Sequence, residues 1–356
     1  MAARKTQTKT RTPARSPRKT AQPNKGGFLR TLRNLVLLAL LTATVAAGAA
    51  WWYVTRPLPL AYPVTLTVAP GSVRAIAAQL AQQGVIDHAI AFRLLARATG
   101  QDTRLKAGVY ELKQPTSMLE LLGKIARGEA SQIAFTVIEG TTWRQMRAAL
   151  AAQPKLKAEA TLMSDDELRA LLGISAPGLE GQFFPDTYFV AVGGSDLEVL
   201  RRAHAKLSDQ LAMAWKLRRP DTPLRSPYEL LIMASIVEKE TGAESDRPMV
   251  AAVFENRLRI GMRLQTDPTV IYGLGEAFDG NLRKKDLQTD TPYNSYTRAG
   301  LPPTPIALPG TAALLAAAQP AKSKALYFVA RGDGSSHFSE TLAEHNQAVN
   351  RYIRGR

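Results

Sequence analysis

Hydrophobic and polar positions change rhythm several times along this chain, and each change predicts an element. From Asn34 to Thr55 no charge interrupts 22 consecutive positions, which as a helix span roughly 33 Å, the thickness of a bilayer's hydrocarbon core. After a Pro-containing stretch over 56–63, Val64 to Val68 alternates apolar residues with Thr, the period of a half-exposed strand. Ser72 then caps a helix carrying Ile76 and Leu80 and stopping at Gly84. A second helix runs near Ile90 to Ala98 and closes at Gly100. "LKAGVYEL" from Leu105 reads as a returning strand, and "SMLELLGKIARGEA" as a helix starting near Ser117.

"IAFTVIEG" from Ile133 opens a second region with a strand, and "TTWRQMRAALAA" follows as a helix capped by Thr141 or Thr142. Further helices are expected at about 165–172, 195–217, 227–241, 246–260 and 310–318, with a strand at "ALYFVAR" from Ala325 and a final helix from about Thr341. The predicted class is α+β: an N-terminal transmembrane helix, a small α/β domain, and a mainly helical domain with a few strands. The expected boundaries are a disordered basic tail over 1–33, the membrane helix over 34–55, a juxtamembrane linker over 56–63, the small domain over 64–132 and the large one over 133–352. No internal repeat is visible.

Charge sharpens the topology. Of a net +16, the first 33 residues supply ten Lys or Arg and no acid, so the remainder carries 16 − 10 = +6. Ten cations before the apolar run, against Arg56 alone just after it, place the N-terminus in the cytoplasm. Trp51, Trp52 and Tyr53 suit the far interface, and the following 300 residues then lie outside. A basic arm also fits nucleic acid, but the apolar segment directly behind it favours a topology signal, and no nucleic-acid partner is expected. A cleaved signal peptide is the competing reading, given the small residues from Ala46 to Ala50. The length of the run and its terminal aromatics favour a retained anchor. Zero cysteines remove disulfides, thiolate zinc sites and Cys nucleophiles, and an exported protein of Gram-negative type fits.

The clearest local logic lies in the helix after Ser226. "SPYE" supplies an N-cap Ser, Pro227 at the first helical position and Glu229 to complete a capping box, and Gly242 is the stop. Leu230 through Val237 are apolar apart from Ser235, so this helix should be buried all round. Glu238 follows on the Ser235 face, whereas Glu240 is rotated about 200° away. A carboxyl ending a buried apolar helix loses solvation, which raises its pKa and suits a general acid. Taken alone, Glu238, Lys239 and Glu240 also fit a solvated helix end. His337 and His345 lack ligand spacing, and no HExxH, P-loop or GxSxG pattern occurs. Neither a metal nor a cofactor is expected.

"MASIVEKETG" and "NRLRIGMRLQTDPTVIYGLG" closely resemble the signature of the MltG (YceG-like) family of endolytic murein transglycosylases. The likeness continues through "GLEGQFFPDTYFV", "TPYNSYTRAGLPPTPIALPG" and "LYFVARGDGSSHFSETLAEHN", covering most of residues 64–352. The resemblance implies that the small domain is LysM-like, with either a glycan-binding or a spacer role, and that Glu238 is the catalytic acid. It further implies that Glu180, Gln265, Asp267, Tyr293, Asn294 and Tyr296 line the substrate cleft. Each has a plainer reading: Asp267 as a turn residue, the two tyrosines as core or rim aromatics, Asn294 as a loop closer. In "FFPDTY", Phe183, Phe184 and Tyr188 fill the core, and Asp186 is not a nucleophile.

By the same resemblance, Glu238 protonates the oxygen between MurNAc and GlcNAc, then takes the proton of the MurNAc 6-hydroxyl as it closes onto C1, leaving a 1,6-anhydroMurNAc end. Cleavage inside strands near the inner membrane, an end to strand elongation and partnership with peptidoglycan synthases are expectations of the same origin. Two rival readings stay open. One is a non-catalytic, membrane-tethered peptidoglycan-binding scaffold. The other is a lysozyme-like hydrolase, which needs a second carboxylate from Asp186, Asp267 or Glu240.

Overall fold

A computed structural model describes residues 25–240 and 242–355. Helix α1 (Lys25–Thr55) is longer than expected. It takes in 25–33 of the stretch expected to be disordered; the rest of that basic tail lies outside the described residues. No proline follows Pro23 within the helix, and Leu29 and Leu32 extend the apolar surface backward toward the unfavourable Gly26–Gly27 pair. Leu29–Thr55 is the one helix among the described residues long and apolar enough to cross a membrane. Its leucines face outward with nothing packed upon them.

The chain leaves α1 already engaged with the next unit. Tyr53 stacks on His88 at a ring separation of 6.2 Å, and Arg56 pairs with Asp87 at 3.4 Å. The expected linker is not a free tether, because Leu58 is buried in the core and donates its N–H to Thr116 O at 3.0 Å. Strands β1 (Val64–Val68) and β2 (Gly108–Leu112) pair antiparallel, with Leu66 opposite Tyr110. Between them run α2 (Val73–Gln82) and α3 (Ala89–Ala98), and α4 (Met118–Arg127) follows behind the expected Ser117 capping box. β2 begins three residues after Leu105, at Gly108, whose φ of 153° puts it outside ordinary strand geometry. Leu66, Ile76, Leu80, Phe92, Tyr110 and Leu121 form the shared core.

A second core lies beneath β3 (Gln132–Thr136) and β4 (Thr187–Ala191), which pair antiparallel. Helix α5 (Trp143–Ala151), capped by Thr142, and α6 (Asp165–Leu172), capped by Ser164, pack there around Trp143, Phe183 and Leu168. Phe183, Phe184 and Tyr188 are buried as expected. Asp186 is held by Lys206 at the surface, its carboxyl pulled below the usual range by that ammonium. The third core is helical. Helices α7 (Asp196–Leu217), α8 (Pro227–Glu240), α9 (Arg247–Arg259), α10 (Asp267–Leu274), α11 (Lys284–Gln288) and α12 (Thr311–Ala318) follow one another. The chain closes with β5 (Tyr327–Ala330) against β6 (Ser336–Ser339), then α13 (Leu342–Val349).

Helix α8 is the axis of this part. Every residue from Leu230 to Val237 is buried, and each large apolar side chain so placed contributes about 1.5–3 kcal/mol. Ser235, the one polar member, is satisfied: its hydroxyl donates to Ile232 O at 2.7 Å and accepts from Ile306 N at 3.0 Å. The hydrogen bond to Ile306 ties the 306–310 segment along α8, and so brings Gly310 beside the helix's last turn.

Candidate active site

The last turn of α8 carries three charged residues, and each is drawn to a different segment. Glu238 turns inward with its side chain 6% exposed. Its Oε2 accepts from Gly310 N at 2.9 Å, and Arg247 at the start of α9 approaches Oε1 at 3.5 Å. Burial pushes the Glu238 carboxyl above the usual carboxylate range. The Gly310 amide pulls the other way, Glu139 adds to the rise, and Arg247 and Lys239 oppose it. Lys239 reaches outward and donates to Gly140 O at 3.3 Å. Glu240 turns to the opposite side, where Thr266 Oγ1 donates to it; burial raises its pKa as well, with the Thr266 bond opposing. The helical-face expectation therefore holds, while the solvated-end alternative does not.

A cleft of about 700 Å³ opens beside this turn, walled by Thr142 at the cap of α5, Arg144 of α5, Lys239 of α8, Pro268 and Tyr272 of α10, and Tyr293. Of the residues expected to line a cleft, Glu180 and Tyr293 do so, whereas Gln265, Asp267, Asn294 and Tyr296 do not, and Glu238 itself is not in this wall. Glu180 lies in its wall, nearly buried. It accepts from Trp143 N, the first amide of α5, at 3.0 and 3.1 Å, and from Tyr272 Oη at 3.2 Å. Burial lifts its pKa to about 7 against those hydrogen bonds. The residue anchors the cleft's architecture as well as lining it. Tyr293 donates to or accepts from Thr304 Oγ1 at 2.8 Å and meets Tyr272 edge-on, ring centroids 4.9 Å apart.

Gln265 is exposed on a backbone with φ of +47°, the one non-glycine residue in the left-handed region among the described residues. Such strain in a bulky residue collects at functional sites. Asp267 is not the turn residue that Pro268 suggested but the first residue of α10, where its negative charge suits the helix N-terminus. Tyr296 Oη donates to its Oδ1 at 2.6 Å. Asn294 departs from the expected role. It is fully buried, its amide donates to Asp286 O, Leu287 O and Thr289 O at 2.7–3.2 Å, and its oxygen accepts from Tyr296 N. No polar atom of Asn294 is left to meet a sugar, so it closes the loop that presents Tyr293 and Tyr296.

Three further groups at the site escaped the reading of the sequence. Arg247 occupies the first turn of α9, the end where a cation is disfavoured, and that misplacement was a legible sign of an acidic partner. Gly310 precedes α12 and offers its amide to Glu238. Glu139, in the turn between β3 and α5, lies against Gly310: a Cβ added there would fall on its carboxyl group. Of the proposed second carboxylates, Asp186 is tied to Lys206 and Asp267 to Tyr296. Among the described residues no cluster of His, Asp and Glu is arranged to hold a metal ion.

This combination, a buried carboxyl group of raised proton affinity one residue before Lys239 in the wall of a polar and aromatic cleft, has the chemical means for acid–base work. The sequence profile of the YceG-like family matches residues 66–351. The endolytic murein transglycosylase of Bacillus subtilis is 36% identical over 310 residues, covering 82% of this chain and 85% of that protein. Its namesake in Streptococcus pneumoniae is 28% identical over 324 residues, and the match spans 82% of this chain but 58% of that longer protein. The crystal structure of a YceG-like protein from Listeria monocytogenes superposes with a TM-score of 0.51 at 33% identity, covering 80% of this chain and 98% of the other. The chain belongs to the YceG-like family.

Proposed function

We propose that this chain is an endolytic murein transglycosylase, the activity for which its relatives are named, with Glu238 as the acid and then the base. The observation that carries the reading is Glu238 itself: a carboxyl 6% exposed, held by one backbone amide, raised in proton affinity by burial, one residue before Lys239 in the cleft wall. As acid it gives its proton to the oxygen leaving C1 of MurNAc. As carboxylate it takes the proton of the MurNAc 6-hydroxyl while that oxygen bonds to C1, so the proton count closes and no water is consumed. Gln265, Asp267, Tyr293 and Tyr296 bind the glycan, with Glu180 holding the cleft wall.

In this reading α1 is a single inner-membrane anchor with its N-terminus in the cytoplasm. The unit over 64–132 is LysM-like and holds the catalytic region over 133–352 close to the membrane. Cutting strands still near the membrane would end their elongation, and synthases are the partners such timing requires. A lysozyme-like hydrolase is the second reading, because Glu139 sets another carboxylate against the same Gly310.

The deciding experiment is mass spectrometry of muropeptides released from purified peptidoglycan by the detergent-solubilised chain and by Glu238→Gln. Anhydro ends that vanish in the variant support the transglycosylase. Reducing ends convert it to the hydrolase, and undiminished cleavage by a folded Glu238→Gln protein removes Glu238 from the mechanism. Absence of any product leaves the scaffold.

A further inference from the structure

Beside Glu238 the fold leaves a second acid without a partner. Glu139 sits in the turn that follows β3, and among the described residues no hydrogen bond or ion pair engages its carboxylate. The turn itself is clamped. Gly140 N donates to Leu308 O at 2.9 Å, Leu308 N donates to Thr141 O at 2.8 Å, and Lys239 holds Gly140 O from α8. Gly140 has φ of +75° and lies so near the helix end that a Cβ there would stand 3.9 Å from Glu238 Cγ.

The clamp carries Glu139 onto Gly310. A Cβ on Gly310 would lie on the Glu139 carboxyl group and 2.9 Å from its Cγ, while the Gly310 N–H donates to Glu238 Oε2 at 2.9 Å. The exposed Glu139 side chain therefore lays its carboxyl group where a Cβ of residue 310 would stand, on the same glycine whose amide Glu238 accepts. We propose that Glu139 is a positioning residue for Glu238: seated on Gly310, its negative charge opposes ionisation of the catalytic acid and keeps that acid ready to donate.

The surrounding charges show why such a residue is needed. From α9, Arg247 faces Glu238, shared with Glu244 at 3.5 Å. From α8 itself comes Lys239. Helix α12 contains no charged side chain and offers only the Gly310 amide. Helix α7 presents neutral Gln210, which meets Thr311, and the single acid of α10, Asp267, is bound to Tyr296 on the Glu240 side. Without Glu139 the nearest partners of Glu238 are two cations and an amide donor, all favouring the carboxylate. Desolvation and Glu139 act against them.

This inference rests on Glu238 being the general acid, and the test separates the two. Cleavage of purified peptidoglycan by the full chain is followed from about pH 5 to 9 for the wild type, Glu139→Gln, Gly310→Ala and Glu238→Gln. Activity that needs protonated Glu238 falls as pH rises through its pKa. Glu139→Gln should keep the acidic plateau and move the alkaline fall to lower pH by about half to one unit, the effect of a like charge several ångströms away in a half-solvated site. Raised salt should move the wild-type fall the same way and the variant's much less. Gly310→Ala, which evicts the carboxyl group, should shift the fall in the same direction. An unmoved profile in Glu139→Gln overturns the inference. So does loss of cleavage at every pH in the folded variant, since Glu139 would then transfer a proton itself. Full activity of Glu238→Gln sinks the underlying assignment instead.

Discussion

Glu180 offers a prediction whose size follows from its surroundings. It is 8% exposed, and burial lifts its carboxyl from 4.5 to about 7. In the unfolded chain the group ionises near its ordinary value, so between about pH 4.5 and 7 the folded state holds a proton that the unfolded state has lost. A folded-state pKa raised in this way gives stability that is complete below the unfolded value and declines as pH rises through the folded one. The slope approaches −1.4 kcal/mol per pH unit, and a span of 7 − 4.5 = 2.5 units amounts to about 3 kcal/mol. Glu180→Gln preserves an oxygen for the Trp143 amide but has no charge to bury. The perturbation should therefore cost little at pH 4.5 and leave the variant more stable than the wild type, by about 3 kcal/mol relative to its low-pH offset, at pH 8. Denaturant unfolding followed by tryptophan emission, run in detergent at both pH values, measures it. A constant offset between the two proteins would refute the reasoning, showing that hydrogen bonds from Trp143, Tyr272 and Gly181 hold the carboxylate ionised in the folded state.

Three other outcomes follow from packing and backbone geometry. Asn294→Ala should lower stability by about 2–3 kcal/mol, because buried carbonyls lose their donor; a melt within a degree of wild type would return Asn294 to the surface of the cleft. Gln265→Gly removes a strained left-handed φ and should hold or raise stability by about 1 kcal/mol. If Gln265 also grips glycan, the variant's KM in a glycan-release assay should rise while its melt does not fall. Truncation immediately after Trp52 should yield a protein more heat-stable than truncation after Arg56, since Tyr53 stacks on His88 and Arg56 pairs with Asp87. Comparable melts would show that the end of α1 adds nothing to the fold.

Much of the helical framework was legible because its ends are chemically marked. Ser117, Thr142, Ser164 and Thr341 each cap a helix through a reciprocal box with an acid or Gln three residues on, and such boundaries are local. Strand β4 was missed although its burial alternates along Tyr188 and Val190: "FFPDTY" reads as a turn with core aromatics until β3 supplies a partner. Helix α10 was hidden behind Asp267-Pro268, a pair that serves a turn and a helix N-terminus equally well. At the site, the inward turn of Glu238 and its separation from Glu240 were readable from the helix itself. Glu139 was not, because its position depends on contacts with Leu308 and Gly310, some 170 residues away in sequence.

Why the proposed chemistry would sit at this helix end follows from the character of α8. Burial from Leu230 to Val237 leaves only the two end turns free to carry charge, Glu229 in the first and Glu238 to Glu240 in the last, where the helix carbonyls present partial negative charge that discourages ionisation of an acid. Glu238 and Glu240 are both raised there, yet their surroundings diverge. Glu240 meets Thr266 and, beyond it, Arg257, in a region closed by Asp267 and Tyr296. Glu238 instead meets a backbone amide, and its neighbour Lys239 already stands in the cleft wall. Two 100° steps thus divide these acids between different surroundings, and the proposed chemistry falls to the one beside the cleft-wall lysine. The division depends on the stiffness of α8: a helix free to unwind its last turn would let the two carboxylates exchange surroundings. Ser235, tied to Ile306 within the buried length, resists that unwinding by locking the helix to the segment that delivers Gly310.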